Sequence, residues 1–158
     1  MQDLFGKILA SQIYANAIME EIKSVLTPDL LKGTWRKPSD NPMKGHCYVA
    51  TEAFYWILGG DKSNISTYVI THKVFPKELE AGGTHWFAKD NSTNEIYDIT
   101  KSQFKGNIPY SKGRRNGMMK YPKGGSKRAR EVIKRILDKK NLAFLPELLG
   151  INIIINKI

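Results

Sequence analysis

The stretch GHCYVATEAFYWILGG, residues 45–60, decides the fold. Val49, Ala50, Ala53, Phe54, Ile57 and Leu58 recur at helical spacing and form a wide apolar stripe. Gly59-Gly60 closes the run, as glycine past a helix end does. The helix is expected to start at about His46 or Cys47. The preceding loop, GTWRKPSDNPMKG (33–45), has two prolines and two glycines and no periodic segment.

Three strand-like segments follow. Ser66–Phe75 is rich in β-branched and aromatic residues. Thr84–Lys89 and Asn94–Ile99 flank a turn at residues 90–93, which predicts a hairpin. A loop at 90–93 pairs positions whose numbers sum to about 183, so His85 faces Asp98 on the same side of the sheet.

Upstream, residues 3–26 read as a helix, with Leu4, Ile8, Ile13, Ile18, Ile22 and Leu26 nearer a 3.6 than a 2.0 period. Pro28 opens a short helical turn through Leu31. Downstream, 105–125 is irregular and holds five glycines. Ser126 is the expected N-cap of a helix to about Lys140, striped by Ala129, Val132, Ile133, Ile136 and Leu137. The tail INIIINKI (151–158) suits an edge strand, or a partner-binding or aggregation-prone end. The pattern is α+β: a Cys-bearing helix packed on a short antiparallel sheet, then a basic helix. We expect one domain over 1–158, with a helical segment at 1–32, a core at 33–140 and an apolar tail at 141–158.

The single cysteine forbids an intrachain disulfide and favours a reducing, cytoplasmic setting. It also leaves no multi-cysteine zinc site, and no H-x-x-x-H or C-x-x-C spacing is present, so we expect no metal or cofactor. No apolar run approaches the roughly 20 residues of a membrane span, and no membrane association is expected. The formal charge is +10, concentrated in residues 101–140, where fourteen Lys/Arg stand against two acids. That region carries +12 and the rest of the chain −2. Such asymmetry should attract a nucleotide, nucleic acid or acidic protein, or else serve as a solvated surface. Arg114 and Arg115, in a glycine-flanked loop, and Lys127, Arg128, Arg130 and Lys134, on the basic helix, are the candidate anion-binding residues.

A reactive thiol needs help, because free cysteine ionises at about pH 8.5. The unpaired N–H groups and dipole of a helix start supply part of it, and Cys47 lies at such a start. A histidine supplies the rest. His46 adjoins Cys47, but neighbouring side chains on a helix diverge, so it is a poor base for that thiol. His72 lies among aliphatics in a strand. His85 follows the Gly82-Gly83 break and faces Asp98, which would orient the ring. The alternatives are a buried cysteine acting as a small hydrophobe and a His–Asp pair acting only as a structural hydrogen bond.

Five motifs carry a resemblance: GHCYVATEAF (45–54), GTHWF (83–87), YDITKSQF (97–104), IPYSKGRRNGMM (108–119) and SKRA (126–129). They resemble a set of bacteriophage and bacterial proteins of unassigned activity, over roughly residues 41–135. The order Cys on a helix, His on a strand, Asp on the next in turn resembles the papain-like and transglutaminase-like superfamily. That resemblance implies a small papain-like domain catalysing acyl transfer, with Cys47 as nucleophile, His85 as proton shuttle and Asp98 as its orienter. It also implies an oxyanion donor six residues before the cysteine; Asn41 stands there, where papain-like enzymes carry Gln. The Cys47 N–H would be a second donor, and Gln103 is a weaker polar candidate. If the chain is phage-encoded, its setting is the host cytoplasm. The rival reading is a non-enzymatic phage accessory protein that binds an anionic partner through 101–140.

Overall fold

A computed structural model describes residues 2–33, 39–121 and 124–140, the side chains of 2–10 and 140 excepted. Helix α1 (Gln2–Val25) buries Ala15, Ile18, Ile22 and Val25, a stripe at three- and four-residue spacing. Ile13, expected on that stripe, is exposed. A 3-10 turn follows at Pro28–Leu30 with proline first, as expected.

Helix α2 (Cys47–Ile57) is covered on nearly every side. Val49, Ala50, Ala53 and Phe54 are wholly buried, and so is the acidic Glu52. The cause is its central place: it packs against strand β2 (Thr84–Asp90) and against both α1 and α3 (Lys127–Lys140). Strand β1 (Ile65–Thr71), β2, β3 (Ile96–Tyr97) and β4 (Arg114–Arg115) form one antiparallel sheet in the order β3-β2-β1-β4. The fold is α+β as read from the sequence.

The sheet has two apolar sides. Ala88 and Tyr97 join the large core under the helices. Ile70 and Phe87 join a smaller cluster with Phe75 and Leu79, against which Phe104 and Tyr110 pack. Alternation along β2 puts His85 on the side of Phe87, away from Ala88.

Several boundaries differ from expectation. β1 stops at Thr71, because the Phe75 N–H bonds back to the carbonyls of Thr71 and His72 in a helical turn. That turn sends Phe75 into the smaller cluster. β3 keeps only two residues of the expected 94–99. Its register pairs Ala88 with Tyr97 and Lys89 with Ile96, so paired numbers sum to 185 rather than 183. The turn tightens around Asp90, whose carboxylate accepts from the Ser92 and Thr93 amides. Arg114 and Arg115, expected in a loop, pair with Val69 and Tyr68 as an edge strand. The expected C-terminal strand falls outside the described residues.

Ser126 caps α3 as expected: its Oγ accepts the Ala129 N–H at 3.2 Å. Glu52 completes the joint, accepting the Ser126 N–H at 2.8 Å and its hydroxyl at 2.7 Å. A buried carboxylate at a helix N-terminus also meets the favourable end of the dipole. Gly125 lets the two helices close, since a Cβ there would lie 2.8 Å from the Trp56 ring. No helix among the described residues is long and apolar enough to cross a membrane.

Glu52→Ala should therefore lower stability by about 3 kcal/mol, because it strands buried donors and opens a gap. Ser126→Ala should cost about 1 kcal/mol. Urea unfolding of both variants checks the order; equal and small losses would contradict this account of the joint.

Candidate active site

Gly45, in the left-handed region at φ +83°, turns the loop into α2 so that Cys47 is its first residue. The first helical bond is Ala50 N–H to His46 carbonyl. The Cys47, Tyr48 and Val49 amides therefore have no acceptor among the described residues, which leaves a donor-rich helix start around the thiol. Cys47 is 8% exposed, and its Sγ lies 3.6 Å from the Thr84 carbonyl at the beginning of β2. The neighbouring His46 is buried and occupied elsewhere, with Nε2 3.0 Å from the Thr27 carbonyl.

His85, one residue into β2, is wholly buried. Its Nε2 lies 2.7 Å from Asp98 Oδ2. The two-residue shift in register explains how this pair survives. Extended past the end of β3, that register would set Asp98 opposite Phe87 rather than His85. A slip of two leaves every side chain on its original face, whereas a slip of one would have reversed it. Asp98 thus becomes a diagonal neighbour, still within reach of an imidazole.

Asp98 is fully engaged. Oδ2 also accepts the Tyr110 hydroxyl at 2.8 Å, and Oδ1 accepts the Thr100 N–H at 3.2 Å. Nothing in the sequence placed Tyr110 beside Asp98. It comes from a 3-10 turn (Tyr110–Lys112) and arrives by packing on Phe87. Burial and the nearby Asp98 charge push its phenol up. Phe104 stands edge-on to the imidazole at 4.7 Å between centroids.

With Nε2 committed to Asp98, Nδ1 is the ring nitrogen left for Cys47, which lies near enough to raise the pKa of the ring. Burial alone would lower the His85 pKa. The Asp98 hydrogen bond, the Cys47 thiol and the electrostatic pull of both outweigh it and push His85 up to about 9. Gln103 is also here: its amide nitrogen bonds Thr100 Oγ1 at 2.9 Å and the Thr100 carbonyl at 3.1 Å, and lies 3.4 Å from Nδ1. It braces the turn that begins at Thr100 and lines the same cavity as Cys47.

Cys47 and Gln103 open on a cavity of about 740 Å³ walled by Tyr48, Trp86 and Met119. Asn41 does not reach it. Its amide donates to the Ser102 carbonyl and its oxygen accepts the Met43 N–H, both at 3.0 Å, so the side chain ties the loop to the 3-10 turn at Lys101–Gln103. The six-residue offset fails because Asn41–Lys44 folds as a turn, with the Lys44 N–H on the Asn41 carbonyl. Gln103, the weaker polar candidate, lines the cavity instead.

The six candidate cations do not form one surface. Arg114 and Arg115 are exposed on β4, with Arg114 bordering a recess that adjoins the cavity at Gly83 and Thr84. Lys127 is exposed. Arg128 lines the Cys47 cavity. Arg130 is half-buried, with Nε unpartnered among the described residues. Lys134 pairs with Asp138 at 3.1 Å. Set against protein-family models, curated proteins and solved structures, the chain matches none of them.

Because its folded pKa is raised above 6.5, His85 should contribute stability that is fully present below about pH 6.5 and lost as pH rises through about 9. The contribution is on the order of 3 kcal/mol. Unfolding measured from pH 6 to pH 10 should show the wild-type advantage over His85→Gln shrinking across that window. An advantage that does not change with pH would contradict the raised pKa.

Proposed function

We propose that the protein is a cysteine-dependent hydrolase or acyltransferase acting on an amide-like bond, with a papain-like arrangement of its reactive groups. One observation carries the reading: a thiol at a helix start adjoins a buried histidine that a carboxylate holds from behind, beside a cavity large enough for a substrate.

In this reading Cys47 and His85 form a sulfur–imidazolium pair. Sγ attacks the substrate carbonyl and the C–S bond forms. The His85 Nδ1–H protonates the leaving nitrogen as the C–N bond breaks. Water or another acceptor then adds to the thioester and returns its proton to His85, and the C–S bond breaks to release product. Asp98 keeps the ring oriented throughout, and Tyr110 and Thr100 keep Asp98 in place. The Cys47 N–H is the donor suited to the developing oxyanion, while the Gln103 amide already donates to Thr100. The lone cysteine suits a reducing, cytoplasmic compartment, that of a host if the chain is phage-encoded.

Iodoacetamide should alkylate wild-type Cys47 at pH 6 at least about tenfold faster than the same residue in His85→Ala. Asp98→Asn should fall between them. A wild-type rate matching that of the unfolded chain would reject an activated thiol.

A second reading rests on Arg114 and Arg115, which lie exposed on an edge strand and enter no ion pair among the described residues. In it, the 101–140 region binds a polyanion and the chemistry at Cys47 is secondary. Lys120, Lys134 and Arg135 are already paired with Asp61, Asp138 and Asp29, which weakens that field. Oligonucleotide binding by this surface would weaken with log salt at about −0.7 per single-strand phosphate neutralised. It would be lost in an Arg114→Ala, Arg115→Ala double variant. Absence of binding at low salt would remove this reading.

A further inference from the structure

Of the fourteen cations in 101–140, one guanidinium shares the thiol's cavity. Arg128 sits in the first turn of α3, half-buried, and its Nη1 donates to the Leu30 carbonyl at 2.9 Å. That bond fixes the head group against the 3-10 turn at Pro28–Leu30. The Nε–Nη2 edge has no acceptor among the described residues, and Arg128 forms no ion pair there. Lys32, just past the same turn, lines the cavity too and has no carboxylate partner among the described residues. Lys44, by contrast, is engaged with Glu80 at 3.6 Å.

A pinned guanidinium with a free edge offers two parallel N–H donors at the spacing of a carboxylate's two oxygens. Being fixed in advance, it loses little further freedom when a ligand binds. An exposed arginine on a solvated face has neither property. Arg115 is such a residue, exposed on β4.

Resting on the acyl-transfer reading above, we propose that the substrate is an acyl compound bearing a carboxylate, held by Arg128 with Lys32 while its carbonyl lies at Cys47. The rest of the acyl group lies along the Tyr48–Trp86 wall, where two rings meet edge to face at 5.0 Å. The charge of this chain thus acts as substrate selection at one arginine rather than as a general polyanion surface.

The test alkylates Cys47 with iodoacetamides carrying an N-carboxyalkyl chain of increasing length, each beside its neutral carbamoyl counterpart. At the best length, wild type should favour the anionic probe at least about tenfold. Arg128→Gln should reduce the preference, taken as the ratio of the two probes' rates in that variant, to within about twofold. Lys32→Gln, on an exposed side chain away from the core, should reduce it in part. Lys127→Gln, which removes equal charge outside the cavity, should leave it intact. A preference that survives in both Arg128→Gln and Lys32→Gln, or falls equally in Lys127→Gln, overturns the site while leaving the acyl-transfer reading standing. A thiol no faster with neutral probes than in the unfolded chain overturns that reading and this one with it.

Discussion

The hydrogen bond between His85 and Asp98 is the constraint on which the rest of the site depends. It lies in the interior, where an unpartnered imidazole or carboxylate would be costly to bury. The fold therefore closes only in an arrangement that brings a strand residue and a post-strand residue together. Asp98 is further held by Tyr110 and Thr100, so the ring has one orientation and presents one nitrogen to the thiol. That fixed direction, with Nε2 held by the carboxylate, is what a proton shuttle would require.

The position of this pair follows from the two-sided sheet. The large core holds α2 on one side, and the smaller cluster holds Phe87, Phe104 and Tyr110 on the other. His85 belongs to the second side by strand alternation, and Cys47 belongs to the helix on the first. They meet at the beginning of β2, where Thr84 offers its carbonyl to the thiol. The site is thus a junction between two apolar clusters, with Cys47 at the cavity and His85 wholly buried. Glu52 and Ser126 hold α3 against α2, and that joint sets where Arg128 stands relative to Cys47.

Much of this was legible in the sequence because the governing signals are local. The stripe from Val49 to Ile57 and the glycines after it defined α2. Ser126 announced a cap. The His85–Asp98 pair was reached from an approximate hairpin register, and it held because the error was two residues, which preserves the face. What stayed hidden depends on chain segments meeting from afar. Asn41 has the offset of an oxyanion donor, but offset says nothing of the turn that directs its amide to Ser102. Gln103 and Tyr110 enter through irregular 3-10 turns with no periodicity to betray them. The basic region read as one field, yet packing divides it into paired, exposed and cavity-lining cations.

His85 should be charged at neutral pH, because Asp98 and Cys47 both stabilise the imidazolium. Nitrogen-15 resonance of the His85 ring, followed from pH 5 to pH 10, measures this directly. The account predicts a doubly protonated ring at pH 7.5 that titrates near 9, with a clear downward shift in Cys47→Ala. A neutral ring at pH 7.5, titrating near 6.5 and indifferent to loss of the thiol, would contradict it.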